Sequence, residues 1–208
     1  MSPFEKTVHY IWVGDAVIPE EYLANMEAAK LLNPNYEFKF WRDEDFIQKF
    51  PDFSDRYKTA TIFHKLQLAR YFFVDTYGGI YTDFDIKWKV GFDVVFNRFD
   101  SCQMVFNCRD DIVKYSTDGT ETPHIDDFVF ASKPGKVKSF IEFADKHIDR
   151  TTTNKFLNIE ILSFLLLTTW AGWQEGVSHL TTSEVSKEEE SIFGIHNNHL
   201  TWQKNQNW

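Results

Sequence analysis

Apolar residues alternate with polar ones over short runs and then recur at three- and four-residue steps, so strand and helix periods follow one another along the chain. Residues 8–13 form an apolar, β-rich run closed by Gly14-Asp15, which predicts a buried strand ending at a turn. Over 20–32, Tyr22, Leu23, Met26, Ala29 and Leu32 sit at helical spacing, and Asn33-Pro34 stops the helix. Tyr36, Phe38 and Phe40 then alternate with polar neighbours up to Trp41, a second strand. Asp43 is placed to cap a helix through Phe50, which Pro51 ends. The clearest helix spans 61–76, with Ile62, Leu66, Ala69 and Phe73 on one face and Gly78-Gly79 as terminator. Strong alternation over 80–89 predicts one extended strand, and 104–108 and 128–131 are further strands. Helices are predicted at 137–147 and 158–170. A polar, flexible segment at 181–191 precedes a last structured stretch at 192–202.

This order predicts an α/β layered domain with a mostly parallel sheet. At 208 residues and 43% hydrophobic, the chain is expected to form a single domain over 1–208. The net charge of -9 repels a phosphate backbone or an anionic bilayer, which argues against a nucleic-acid partner. Neither a GKT/GKS phosphate loop nor a Gly-x-Gly-x-x-Gly turn occurs, which argues against a standard ATPase or nicotinamide dehydrogenase. Cys102 and Cys108 make neither a disulfide framework nor a zinc site and suit a reducing compartment. No basic run followed by an apolar stretch opens the chain, and the most apolar segment, 161–173, is about two-thirds of a bilayer span. The expectation is a cytoplasmic protein with no membrane span.

Within the 80–89 strand, alternation places Asp83 and Asp85 on one side and Ile80, Thr82 and Phe84 on the other. Two converging carboxylates are hard oxygen ligands for Mn²⁺ or Mg²⁺, ions that complete their shell with substrate phosphate oxygens. The tripeptide alone is weak: with 17 Asp in the chain, Asp-x-Asp arises by chance about once. The second copy, Asp43-Glu44-Asp45, reads as acidic residues complementing a helix dipole. What distinguishes the first copy is its setting, an apolar helix carrying Arg70, then Tyr-Gly-Gly, then Ile-Tyr-Thr-Asp-Phe-Asp.

That stretch, HKLQLARYFFVDTYGGIYTDFD, resembles the segment of glycosyltransferases with a DXD-type sugar-binding region, a group that includes initiating mannosyltransferases, bacterial capsule enzymes and, distantly, glucosylating clostridial toxins. HYIWVG at 9–14, the run from Asn33-Pro34 to Trp41-Arg42-Asp43, FVFASKP at 128–134 and Ile195-His196 with Thr201-Trp202 resemble other family elements in order. The resemblance implies a GT-A fold, a nucleotide-sugar donor and a glycan or other hydroxyl acceptor. It implies Trp12 stacking on the base with Ile11 beside it, Asp43 at the base edge, and Arg70 and Tyr81 on the donor. It further implies Asp83 near ribose, sugar and metal, Asp85 as the more direct metal ligand, His196 as third ligand with His199 a rival, and Trp202 in the donor site. Two positions depart: Gln67 stands where the family has Asp on the donor sugar, and Asp126-Asp127 stand where relatives often have Asn. Gln both donates and accepts, which suits a changed hydroxyl pattern, and either aspartate is a candidate sugar ligand or base, against the plainer reading of a loop turn.

The expected reaction is transfer of a hexosyl group, from a UDP-sugar or a GDP-sugar, with the metal and Arg70 neutralising the departing diphosphate. Retention of anomeric configuration is what the resemblance implies. A metal-dependent phosphoryl or nucleotidyl transferase and a non-catalytic sugar-nucleotide or glycan-binding module are the rival classes. The loop at 109–124 and the segment at 181–191 are candidates for shaping the acceptor side.

Overall fold

The parallel strand pair that opens the chain sets the frame. In the computed structural model, which describes residues 3–115, 121–147, 175–181, 184–186 and 191–196, β1 (Thr7–Ile11) pairs in parallel with β2 (Glu37–Trp41) on one side and β3 (Gly79–Thr82) on the other. The crossover between β1 and β2 is α1 (Glu20–Leu32). Its end is fixed by Asn33, whose Nδ2 donates to Ala29 O at 2.8 Å while its Oδ1 accepts from Phe92 N at 2.6 Å. From β2 the chain passes through α2 (Asp43–Lys49), a 3₁₀ turn at Pro51–Phe53 and α3 (Ser54–Thr59) into α4 (Ile62–Tyr77). Thr61 caps α4 by accepting from His64 N at 3.3 Å.

Gly78 and Gly79 turn the chain from α4 into β3 at φ +66° and +95°. A Cβ on Gly79 would lie 2.3 Å from Thr7 O, so only glycine lets β3 approach β1 here. β4 (Ile86–Trp88) and α5 (Phe92–Phe96) follow, then the long hairpin of β5 (Met104–Tyr115) and β6 (Glu121–Ser132), α6 (Lys138–His147), and β7 (Val177–Leu180), β8 (Val185–Ser186) and β9 (Gly194–His196). Among the described residues the main sheet has the order β2-β1-β3-β6-β5-β7 and a small sheet the order β4-β9-β8. β5 and β7 are parallel, while β6 runs antiparallel to both β3 and β5. The α/β architecture with a mostly parallel sheet is therefore present, with β6 as the reversed strand.

Alternation along the strands divides the core in two. Val8, Tyr10, Ile80, Val105 and Val129 join Tyr22 and Ala29 of α1 and Phe92 and Phe96 of α5. Tyr81, Phe106 and Phe130 join Phe73 of α4 and Phe140 of α6.

Several expectations are corrected. The 80–89 strand breaks after Thr82, with Phe84-Asp85 in a turn, because β3 and β4 belong to different sheets. Asp43 is the first helical residue of α2 rather than its cap; the cap is Arg42, whose backbone N donates to Asp45 Oδ2 at 2.8 Å. Strands β5 and β6 occupy most of the predicted 109–124 loop. The 181–191 segment contains β8, tied down by Glu184, which accepts from Thr181 N at 2.8 Å and pairs with Arg98. The helix predicted at 158–170 and the stretch beyond 196 lie outside the described residues. Among the described residues, no helix is long and apolar enough to cross a membrane.

The His9 side chain ties β1 to β2 and to the turn that leads from α4 into β3. It accepts at Nδ1 from Trp41 Nε1 at 2.9 Å on β2 and meets Gly78 O with Nε2 at 2.8 Å, an arrangement that places the ring proton on Nε2. Burial drives its pKa down from 6.5 to about 4, aided by Lys39 and opposed by the Gly78 hydrogen bond. Between those values the unfolded chain binds a proton that the folded chain does not, so stability falls as pH falls through the window. Denaturant titrations are expected to show a loss of about 3 kcal/mol between pH 6.5 and 4 from this group, and His9→Gln is expected to flatten that slope.

Candidate functional site

Parallel strands that share one direction present their C-terminal ends on one edge, and the place where the connections diverge to opposite sides leaves a crevice there. Here the divergence falls between β1, whose chain leaves toward β2, and β3. Trp12-Val13-Gly14 extends from β1, Arg42-Asp43 from β2 and Asp83 from β3, all at this edge. Asp83 N donates to Phe128 O at 2.9 Å, the last rung of the ladder to β6. The turn then reverses, with Ile86 N on Asp83 O at 3.4 Å, and Asn25 of α1 pins it by donating to Phe84 O at 3.1 Å. Asp85 is 8% exposed and opens onto β4, where Ile86 pairs with His196 of β9. His196 is thus next to the aspartate turn in backbone register.

Beneath the turn lies a buried charge cluster. Arg70 of α4, 4% exposed, places Nη1 at 2.8 Å from Asp127 Oδ1 and 2.9 Å from Asp127 O, while Nη2 is 3.9 Å from Asp83 Oδ1. Its guanidinium stacks 4.7 Å from the centre of the Tyr81 ring. Tyr81 Oη donates to Asp83 Oδ1, and Tyr71 Oη donates to Asp127 Oδ2. Asp126 Oδ1 accepts from Asp127 N at 2.8 Å.

A bulge aims Asp127 at Arg70. The β5–β6 register passes from Phe106↔Phe130 to Asn107↔Asp126, a slip that spans residues 127–129 of β6 and includes Asp127. The loop-turn reading of Asp126-Asp127 is corrected accordingly: both lie within β6.

Burial pulls the Arg70 guanidinium toward deprotonation, but Asp127, Tyr81 and Asp83 outweigh it and hold the charge firmly. Burial, reinforced by Asp127, pushes the Tyr71 phenol well up. Burial also raises Tyr81, with Arg70 opposing and Asp83 reinforcing, so both phenols stay proton donors.

The structure gathers Arg70, Tyr81, Asp83, Asp126 and Asp127 into one cluster, with Asp85 on the same turn. Gln67 is buried one helical turn before Arg70. Ile11, Trp12 and Asp43 form a second group at the ends of β1 and β2. Ile11 is in the core. Trp12 is half-buried, its Nε1 donating to Ala16 O at 2.7 Å and its ring edge-on to Tyr22 and Phe84. Asp43 Oδ2 accepts from Gly14 N at 2.6 Å, which ties the β1 turn to α2. Trp202, His199 and the His196 side chain lie outside the described residues. Among the described residues, no group of three His, Cys, Asp or Glu side chains converges as a metal centre.

Tyr71 was not singled out by sequence reasoning. In a chain with 21 Phe and 8 Tyr it reads as a core ring, and it does pack edge-on against Phe140 at 4.8 Å. The sequence clue is its position beside Arg70; its partner lies 56 residues on.

Residues 19–100 match a family model described as the glycosyltransferase sugar-binding region containing a DXD motif. Over 86 residues the chain is 33% identical to inositol phosphoceramide mannosyltransferase 3 of Schizosaccharomyces pombe (strain 972 / ATCC 24843). That match takes in 39% of this chain and 24% of the relative, so it spans about a quarter of the relative's length. Among solved structures, the PaToxG glycosyltransferase superposes with a TM-score of 0.54 at 14% identity, covering 80% of this chain and 68% of that one. The fold is GT-A, and the DXD-type resemblance read from the sequence holds over residues 19–100.

Removing one partner of a buried ion pair leaves the other charge uncompensated. Asp127→Ala is therefore expected to lower the unfolding free energy by about 3–5 kcal/mol in urea titrations. The same change at Asp93, whose bridge to Lys6 is exposed, should cost no more than about 1 kcal/mol.

Proposed function

We propose that this chain transfers a hexosyl group from a nucleotide-diphosphate sugar to a hydroxyl of a glycan or other acceptor, with Mn²⁺ or Mg²⁺, and with retention of configuration as the family resemblance implies. One observation carries the reading: the Asp83–Asp85 turn sits where the connections from β1 and β3 diverge, beside a buried arginine and next to Ile86, which pairs with His196. Carboxylate oxygens two residues apart fit a hard divalent ion, and such ions keep coordination positions for phosphate oxygens and water. Asp83 and Asp85 would hold it, with His196 as third ligand. When bound, the ion supplies positive charge to the departing diphosphate.

The protein's own part is placement. Arg70 and Tyr81 hold Asp83 against the main sheet, and the small sheet carries Asp85. Trp12 at the half-buried end of β1 offers a ring face to a base, with Ile11 behind it and Asp43 bracing the turn. Gln67, Asp126 and Trp202 complete the donor set, and Gln67 is where the choice of sugar differs from relatives. The acceptor's proton passes to the leaving phosphate, so no separate protein base is required. The S. pombe relative is named a mannosyltransferase, which is a reason to include mannosyl donors among those tested.

The experiment offers UDP- and GDP-sugars with Mn²⁺ and follows the nucleotide released. Nucleoside diphosphate should appear with at least one donor and fall by at least about 100-fold in Asp85→Ala, the order of loss seen when one transition-state charge stabiliser is removed. Release that survives Asp85→Ala would remove the metal role assigned here. Nucleoside monophosphate would favour phosphoryl chemistry, and binding without release a non-catalytic module.

A further inference from the structure

A carboxylate facing a guanidinium prefers the two-pronged pairing, in which two parallel N–H groups meet two oxygens. Arg70 and Asp127 do not pair that way. Nη1 alone serves Asp127, through Oδ1 at 2.8 Å and the backbone O at 2.9 Å, and Nη2 is left 3.9 Å from Asp83 Oδ1. On the other side of Asp127, Oδ2 accepts from the Tyr71 hydroxyl, which competes with Nη2 for that oxygen. The Asp127 backbone N is bound to Asp126 Oδ1 at 2.8 Å, and the β6 bulge fixes the residue's position, so the carboxylate has little freedom to turn. The phenol therefore decides how one positive charge is divided between two carboxylates.

We propose that Tyr71 is a positioning residue of the donor site: by occupying Asp127 Oδ2 it keeps one guanidinium nitrogen of Arg70 turned toward Asp83, and so sets how tightly the Asp83–Asp85 turn takes a divalent cation. This rests on the metal reading of that turn. The direction follows from charge. A guanidinium held close to Asp83 offsets part of the field that attracts a cation. Without the phenol, both oxygens of Asp127 become available to the guanidinium, Nη2 swings toward them, and less positive charge faces Asp83, which keeps its hydrogen bond from Tyr81. Tyr71→Phe keeps the ring that packs on Phe130 and Phe140 and removes only the hydroxyl.

The experiment titrates the full chain with Mn²⁺ alone and reads free Mn²⁺ by its electron paramagnetic resonance signal, with the thermal midpoint recorded in parallel. Tyr71→Phe is expected to lower the thermal midpoint yet tighten Mn²⁺ binding about three- to tenfold, the effect of withdrawing one charge by an ångström or two at short range. A merely structural lesion does not tighten a site. Phe140→Leu, which disturbs the packing of the Tyr71 ring and leaves its hydroxyl, should lower the midpoint with Mn²⁺ binding unchanged. Asp127→Asn should shift affinity the other way, since a neutral amide releases Arg70 to Asp83. Unchanged or weaker binding in Tyr71→Phe, beside a parent protein whose Mn²⁺ binding needs Asp85, would overturn this inference and leave the metal reading standing. A parent protein without Asp85-dependent Mn²⁺ binding would overturn both.

Discussion

A guanidinium taken almost wholly out of water has to be surrounded by acceptors, and Arg70 imposes that requirement on three separate parts of the chain. It rides on α4, draws Asp127 from β6 and faces Asp83 at the end of β3. An isolated buried charge would cost several kcal/mol, so the partners cannot drift without destabilising the domain. The neighbouring rings serve the same end. The Tyr81 ring lies under the guanidinium, and Tyr71 and Tyr81 each donate to one of its carboxylates. Stability and site geometry thus rest on the same atoms.

Two irregular features of the backbone border this cluster. A regular β6 would pair every residue with β5 and send Asp127 wherever alternation dictated; the slip between Asp126 and Phe130 aims it at α4 instead. A continuous strand through Thr82 would keep Asp83 and Asp85 on one sheet. The chain breaks there instead, and the Phe84 carbonyl is caught by Asn25 from α1. Bulges and strand breaks of this kind concentrate where a side chain must be aimed rather than merely packed.

Sequence reading recovered what short-range pattern can encode. The β1–α1–β2 opening, the long α4 with its Thr61 start and Gly78-Gly79 end, and the α/β class all follow from periodicity and from residues with fixed conformational preferences. The aspartate pair was found through its neighbours, Arg70 and Tyr-Gly-Gly, not through its own spacing. What was illegible depends on distant partners. Nothing local in residues 80–89 says that β4 leaves for another sheet, because the reason is its pairing with β9 more than a hundred residues later. The extension of β5 and β6 through 109–115 and 121–124 is likewise a property of the hairpin, and Tyr71 becomes distinctive only once the bulge brings Asp127 to it.

The break between the sheets also divides responsibility for the two aspartates. Asp83 is fastened to the main sheet by its backbone bond to Phe128 and to the buried cluster by Tyr81. Asp85 opens the strand that pairs with β9, and β9 is held by β8, which Glu184 anchors to Thr181 and Arg98. The distance between the carboxylates is therefore set by how the small sheet docks on the large one, through the packing of Ile86, Trp88 and Phe92 against the core that also contains Tyr10 and Val129. Trp88 makes the join directional as well as apolar, its Nε1 donating to Thr82 Oγ1 at 3.1 Å across the break. A segment from late in the chain thus pairs, in register, with the strand that follows the aspartate turn.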